Sequence, residues 1–152
     1  MNIRIAVASI VIALAAVGSL YFVFAKEPAH EESARVFEAA PEVPFRFEIA
    51  DSPEERVQGL SGRRDVPSNY GLLFVFEEAG SPGFWMKDMH VPIDIIWLAD
   101  DGTVLGIEEA VSPETYPAAF YPPEPVTLVL ETRAYEARAQ GWEVGSKIPL
   151  PF

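Results

Sequence analysis

The residues best suited to chemistry cluster in one stretch, Phe84-Trp85-Met86-Lys87-Asp88-Met89-His90-Val91-Pro92-Ile93-Asp94-Ile95-Ile96-Trp97. It interleaves aromatic and apolar side chains with Lys87, Asp88, His90 and Asp94. Asp94 stands between Ile93 and Ile95 at the start of a strand. A carboxylate there faces solvent or is buried with a partner, because an unpaired charge is costly to bury. Lys87, Arg56 and Arg63 are the candidate partners, and a place in a ligand site is the competing role. Asp88, His90 and Asp94 are metal-binding types, but D-x-H-x-x-x-D is not a ligand spacing, and Val91-Pro92 interrupts an extended geometry. No metal is therefore expected, and His90 reads as a turn histidine. Glu131 closes a strand just ahead of a predicted helix, where a carboxylate favours the positive end of the helix dipole. Glu131 and Asp94 could instead serve as acid and base if they met in one cleft. Trp85, Trp97, Tyr116, Tyr121 and Trp142 could stack on sugars or peptides. Trp97 is expected inside and Trp85 partly accessible. Phosphate-binding glycine loops, a GxSxG elbow and HExxH are all absent, so no cofactor is expected.

These residues must be positioned by a body that begins well into the chain. The sequence has 152 residues, no Cys, 14 Pro and a formal charge of −12. From Ile5 to Ala25 it carries no charge, with Arg4 before and Lys26 after. That length can span a hydrocarbon core as a helix. It reads either as an uncleaved anchor or as a signal peptide cleaved after Val23-Phe24-Ala25. Both place the body outside the cytoplasm, in the periplasm or at the cell surface. Residues 26–42, polar and flanked by proline, read as a linker, with His30 a solvated side chain. Residues 43–152 form a single domain. All 23 acidic side chains and ten of the eleven basic ones follow Ala25, a charge of −13 for that portion. A field of that sign disfavours nucleic acid and anionic lipid, so membrane contact is expected through residues 5–25 only. Without cysteine the fold relies on packing, and disulfide, zinc-thiolate and thiol chemistry are excluded.

Alternation over Val43 to Ala50 predicts a half-buried strand, with Pro44 marking an edge. Ser52-Pro53-Glu54-Glu55 is a capping box with proline at the first helical position, so a short helix runs to about Gly59. Strands are expected over 71–76, 83–87 and 93–99. Asp101-Gly102 turns the last of these into a strand over 103–111. Residues 112–125 hold five prolines with Tyr116, Phe120 and Tyr121 and read as a rigid aromatic loop rather than sheet. A strand over 126–130, a helix over 132–140 capped by Gly141, and a closing strand over 146–150 complete the domain. This order predicts a mainly β, mostly antiparallel, barrel-like domain with two short helices, preceded by the N-terminal hydrophobic helix.

From about Phe47 to Ile148 the chain resembles the bacterial and archaeal domain of unknown function 192. Arg56-x-x-Gly59-Leu60 with Arg63 is similar to its R-x-x-GLM-x-R opening, with Ser61 in place of Met. Gly71-Leu72-Leu73-Phe74-Val75-Phe76 is similar to its GMLF-x-F strand. Phe84-Trp85-Met86-Lys87 and Pro92-Ile93-Asp94-Ile95 correspond to FWMKNT-x-x-PLD-x-x-F, Leu130-Glu131 to its LE pair, and Gly145 to its G-D pair. Asp88-Met89 stands where Asn-Thr is usual, Tyr135 where Gly is, and Ser146 where Asp is. Ionised Asp88 only accepts hydrogen bonds, whereas the amide–hydroxyl pair donates and accepts. The resemblance implies a compact β-rich domain, often exported or tethered, and no established activity. It marks Arg56, Lys87, Asp94 and Glu131 as signature positions.

Three functional readings follow. The first is a non-catalytic binding module in the cell envelope for a glycan, a wall fragment or a protein. Its binding candidates are Arg56, Trp85, Lys87, Asp88, Asp94, Tyr121 and Glu131. The second is a carboxylate hydrolase built on Asp94 and Glu131. The third is a structural or tethering component in which Lys87 and Asp94 form an internal ion pair.

Overall fold

A computed structural model describes residues 44–152. The expected hydrophobic helix over 5–25, the linker over 26–42 and the start of the first strand at Val43 lie outside the described residues. Among the described residues no helix is long and apolar enough to cross a membrane.

The fold begins with β1 (Arg46–Ala50), α1 (Pro53–Gln58) and β2 (Tyr70–Gly80). β1 and β2 pair in parallel, from Arg46 opposite Tyr70 to Ala50 opposite Phe74. Parallel neighbours need a crossover connection, and α1 with the loop after it supplies one. The helix starts where the capping box sets it. The Ser52 hydroxyl accepts from the Glu55 N–H, and Glu55 accepts from the Ser52 N–H in return. It stops at Gly59, whose φ of 50° and ψ of −138° suit only glycine comfortably.

Next come β3 (Phe84–Trp85), β4 (Ile93–Leu98), β5 (Val104–Val111), β6 (Ala119–Phe120), β7 (Val126–Arg133) and α2 (Glu136–Ala139). Five strands form one sheet in the order β1-β2-β7-β4-β5, antiparallel apart from β1 with β2, while β3 pairs with β6 separately. The β4–β5 hairpin turns at Asp101-Gly102 as expected. The Asp101 carboxylate accepts from the Thr103 N–H at 3.0 Å and the Thr103 hydroxyl at 2.7 Å, and Gly102 takes φ of 82°. The Thr103 hydroxyl, Lys147 and the Thr103 N–H together hold the Asp101 carboxyl well below the usual range.

The sheet buries both faces. On one, Leu72, Phe74, Ile93, Ile95, Trp97 and Val129 pack with Leu60, Phe84, Met86 and Met89. Phe84 meets Phe74 and Trp97 edge-on, with ring centres 4.8 and 5.5 Å apart. On the other, Leu73, Ile96, Leu98, Leu128 and Leu130 pack with Ala137, Ile148 and the rings of Phe45, Phe47 and Trp142. Every residue of β4 is buried, as expected of a central strand covered on both sides.

Four expectations need correction. The sheet is open rather than a barrel: β1 and β5 are its free edges, and two separate cores cover its faces in place of one enclosed core. No closing strand forms over 146–150. Pro149 and Pro151 cannot donate to a ladder, and the segment pairs through an isolated Thr103–Lys147 bridge, with the Val104 N–H donating to the Ser146 carbonyl and the Ile148 N–H to the Gly102 carbonyl. The loop over 112–125 does contribute to a sheet, because Ala119–Phe120 pairs with Trp85 and Phe84. The second helix is shorter than 132–140, because Thr132 and Arg133 still pair with Asp94 and Ile93. Tyr135, at φ of 64°, then turns the chain into α2.

Candidate functional site

Register decides which candidates can meet. Glu131 lies opposite Leu72 on one side and Ile95 on the other, so it shares the face that carries Phe74 and Trp97. Asp94 lies opposite Thr132 and therefore points to the other face, because successive side chains of a strand alternate. Asp94 and Glu131 do not converge on one cleft.

Asp94 is fully buried and saturated by backbone. Its Oδ1 accepts from the N–H groups of Ala110 at 2.8 Å and Tyr135 at 2.9 Å, and its Oδ2 from that of Ala137 at 3.0 Å. One carboxylate thereby pins a bulge of β5 and the entry to α2. Neither Lys87, Arg56 nor Arg63 pairs with it. The bulge explains why Ala110 holds φ of 52°, a conformation that needs outside support in a residue with a side chain.

Glu131 sits in the reverse situation. It is 5% exposed, and its Oε2 is buried with no hydrogen-bond partner. Burial pushes its carboxyl up to about 8, against the opposing pulls of the Leu60 backbone N–H and the Arg63 charge. At neutral pH it is therefore mostly a neutral acid that can donate one O–H. Gly59 lies directly beside it: a Cβ there would come within 3.5 Å of Glu131 Oε2 and 3.3 Å of the Phe74 ring.

Above this carboxyl opens a cavity of about 340 Å³. Phe74, Phe84 and Met89 line it with apolar surface, the end of α1 forms one side, and Trp85 forms part of the wall. Such a volume, largely apolar with a few convergent polar groups, is typical of small-ligand sites. Arg56 also lines it, with its guanidinium committed through Nη1. It donates to the carbonyl oxygens of Asp51 and Val75, the latter at 2.9 Å, and lies 5.3 Å from the centre of the Phe76 ring. A second hollow of about 350 Å³ shares Val57, Gln58, Ser61 and Trp85 with the first and adds Gly62, Lys87 and Asp88. Trp85 is 53% exposed and borders both.

The structure thus groups Arg56, Trp85 and Glu131 at one cavity and Trp85, Lys87 and Asp88 at its neighbour. Tyr121 packs against Gly83, which lines the first cavity, without lining either cavity itself. Asp94 stands apart, on the opposite sheet face. Two hydrogen bonds tie the walls together: the Ser61 hydroxyl donates to the Lys87 carbonyl and the Gly62 N–H to the Asp88 carbonyl, both at 2.9 Å. Asp88 makes that turn at φ of 57°, which asparagine and aspartate tolerate better than most residues. Among the described residues no group of three or more His, Cys, Asp or Glu could hold a metal ion.

Arg63 works elsewhere. It donates to the Tyr70 hydroxyl at 2.7 Å and to Glu48 at 2.8 Å, and Tyr70 donates to Glu48 at 2.6 Å. Burial and the bond to Glu48 push Tyr70 up to about 12, while the Tyr70 and Arg63 bonds lower Glu48. This cluster ties β1 to the loop after α1.

Sequence reasoning found Arg56 and Trp85 but missed other parts of the cavity wall. Phe74, Gly59 and Leu60 figured only as motif positions, and Met89 only as a departure from a pattern. The available signal was the glycine ending α1, since a helix stop beside an apolar strand leaves space where side chains would otherwise stand.

A family model described as Uncharacterized ACR, domain of unknown function 192, matches residues 35–150. Two crystal structures are similar to this chain. One, from Sinorhizobium meliloti and provisionally named a transcription regulator, is 36% identical with a TM-score of 0.63, over 66% of this chain and 78% of that one. The other, a protein of unknown function from Novosphingobium aromaticivorans, is 27% identical with a TM-score of 0.65, over 70% and 75%. No curated protein matches significantly.

Proposed function

This chain belongs to the family of domain of unknown function 192, and from the cavity over Glu131 we propose that it is a non-catalytic binding module of the cell envelope. In this reading residues 5–25 tether or export it, and the body takes a glycan, a wall fragment or a protein segment into the cavity. One observation carries the proposal: the buried Glu131 carboxyl is among the groups that line an open, mainly apolar cavity bordered by the exposed Trp85. The exposed Trp85 beside it offers a flat apolar surface for a sugar ring or a peptide side chain.

The hydrolase alternative needs a second carboxylate facing Glu131 across the cavity. Asp94 lies on the other face of the sheet, which removes the pair first considered for that role. The structural or tethering alternative expected Lys87 and Asp94 to form an internal ion pair, and Asp94 instead accepts from three backbone N–H groups.

Co-sedimentation of the full-length protein with purified wall sacculi, in mild detergent, tests the proposal. The protein is expected in the pellet, with Trp85→Ala reducing the bound fraction. A protein that stays in the supernatant and responds to no soluble wall fragment or envelope protein would rule the proposal out.

A further inference from the structure

Resting on the binding reading above, we infer that the first cavity takes the free C-terminal carboxylate of a peptide ending in an apolar residue, and that Arg56 holds it. Arg56 is half-buried in the cavity wall, and its guanidinium is already oriented. Nη1 donates to the carbonyl oxygens of Asp51 and Val75, and the guanidinium carbon lies 5.3 Å from the centre of the Phe76 ring. Nε and Nη2 have no partner among the described residues, and neither is sealed from solvent. Their N–H groups form a planar edge that matches the two oxygens of a carboxylate. No acidic side chain among the described residues takes that edge, although acidic residues outnumber basic ones 23 to 11 in the chain. Arg63, Arg133, Arg138 and Lys147 each pair with a carboxylate. Arg46, Arg64 and Lys87 make no such pair, but all three are exposed, where water carries the charge. Glu55, next to Arg56 in the chain, turns to the helix cap, and Glu131 on the same wall makes no bond to Arg56.

The other lining groups say what the anion is attached to. Phe74, Phe76, Phe84 and Met89 present apolar surface beside Arg56. Two further polar side chains on the wall are engaged: Gln58 donates to the Ser61 carbonyl, and the Ser61 hydroxyl to the Lys87 carbonyl. A sugar ring buried there would leave several hydroxyls unpaired. A phosphate would bring two negative charges to one guanidinium in a strongly acidic body. The last residue of a peptide carries its carboxylate and its side chain on the same carbon. It can therefore meet Arg56 and the aromatic wall together. The residues before it pass over Trp85, which borders the neighbouring hollow and so gives the chain a way out.

The test titrates the isotope-labelled full-length protein with acetyl-Ala-Ala in its L,L and D,D forms and with acetyl-L-Ala-L-Leu, each as free acid and as C-terminal amide. At least one free acid is expected to shift the Arg56 Nε–H and Trp85 indole signals, and its amide to bind at least about tenfold more weakly. Binding of the D,D acid points to a wall stem peptide and binding of an L acid to the tail of a protein, and either result supports the inference. In Arg56→Gln the acid should fall to the level of its amide, with a melting curve to show that the variant is folded. Should that variant not fold, the comparison of acid with amide on the parent protein decides alone. Equal binding of each acid and its amide, full acid binding by a folded Arg56→Gln, or no response to any of the acids would overturn the inference. If none of the acids binds while the protein still pellets with wall sacculi, the carboxylate inference falls and the binding module stands. If it does neither and responds to no other wall fragment or envelope protein, both fall.

Discussion

Two buried carboxylates on adjacent strands have opposite environments, and those environments assign their roles. Asp94 is surrounded by donors, so it acts as a staple. Asp94→Ala should strand three N–H groups, that of Ala137 in the core, and cost about 3–5 kcal/mol in a denaturant melt, without reference to any ligand. Glu131 is buried mainly among apolar side chains, and burial pushes its carboxyl up to about 8. Its carboxyl is raised in the folded state, so the native protein holds a proton that the unfolded chain releases near pH 4.5. Stability should therefore be unaffected by this group below that pH. It should fall as pH rises toward about 8, at up to about 1.4 kcal/mol per pH unit. Glu131→Gln should flatten that slope, and melts across pH 4 to 9 would show it as an order-of-magnitude effect. The sequence marked both residues as chemically interesting and could not tell them apart. Facing depends on register, and register between β4 and β7 is set by contacts between residues that lie far apart in the chain, from Leu98 with Leu128 to Ile93 with Arg133.

At the scale of elements, α1 and the 84–89 segment are the walls of the cavity, and local sequence fixes the first of them well. The capping box, the proline and the glycine stop were all legible because each acts within a few residues. Ser52→Ala should cost about 1 kcal/mol, read by thermal melting. It should also weaken any ligand seated against α1. Gly59→Ala should cost about 1–3 kcal/mol from its backbone conformation, and its methyl group would press on Phe74 beside Glu131. Loss of ligand binding beyond what the melt explains would show that the floor itself had been blocked. The hairpin at Asp101-Gly102 was equally legible. The pairing of β3 with β6 was not, since two residues on each side carry almost no periodic signal. The extension of β7 through Thr132 and Arg133 was hidden because helix-forming residues follow at once, and tertiary pairing with β4 overrides them.

For the whole molecule, the open sheet with a core on each face separates stability from recognition. The face with α2, Ile148 and Trp142 is closed by packing and by Asp94. The face with α1 and Trp85 is left with a hollow. The alternation of strand residues announced β structure and not closure, because a barrel and an open sheet share the same period along each strand. Export belongs to this scale as well. If residues 5–25 anchor the chain, the protein should fractionate with membranes and be digested by protease added from outside the cytoplasm. A mature mass lacking the first 25 residues would instead establish cleavage after Ala25. The central claim, that a ligand enters the cavity lined by Glu131, has one most direct measurement. The side-chain carboxyl carbon of Glu131 is followed by NMR in the full-length protein at neutral pH while soluble wall fragments are added. The account predicts a signal of the protonated acid that moves on addition of fragments. A signal of the ionised carboxylate, or one that stays fixed while fragments bind elsewhere, would contradict it.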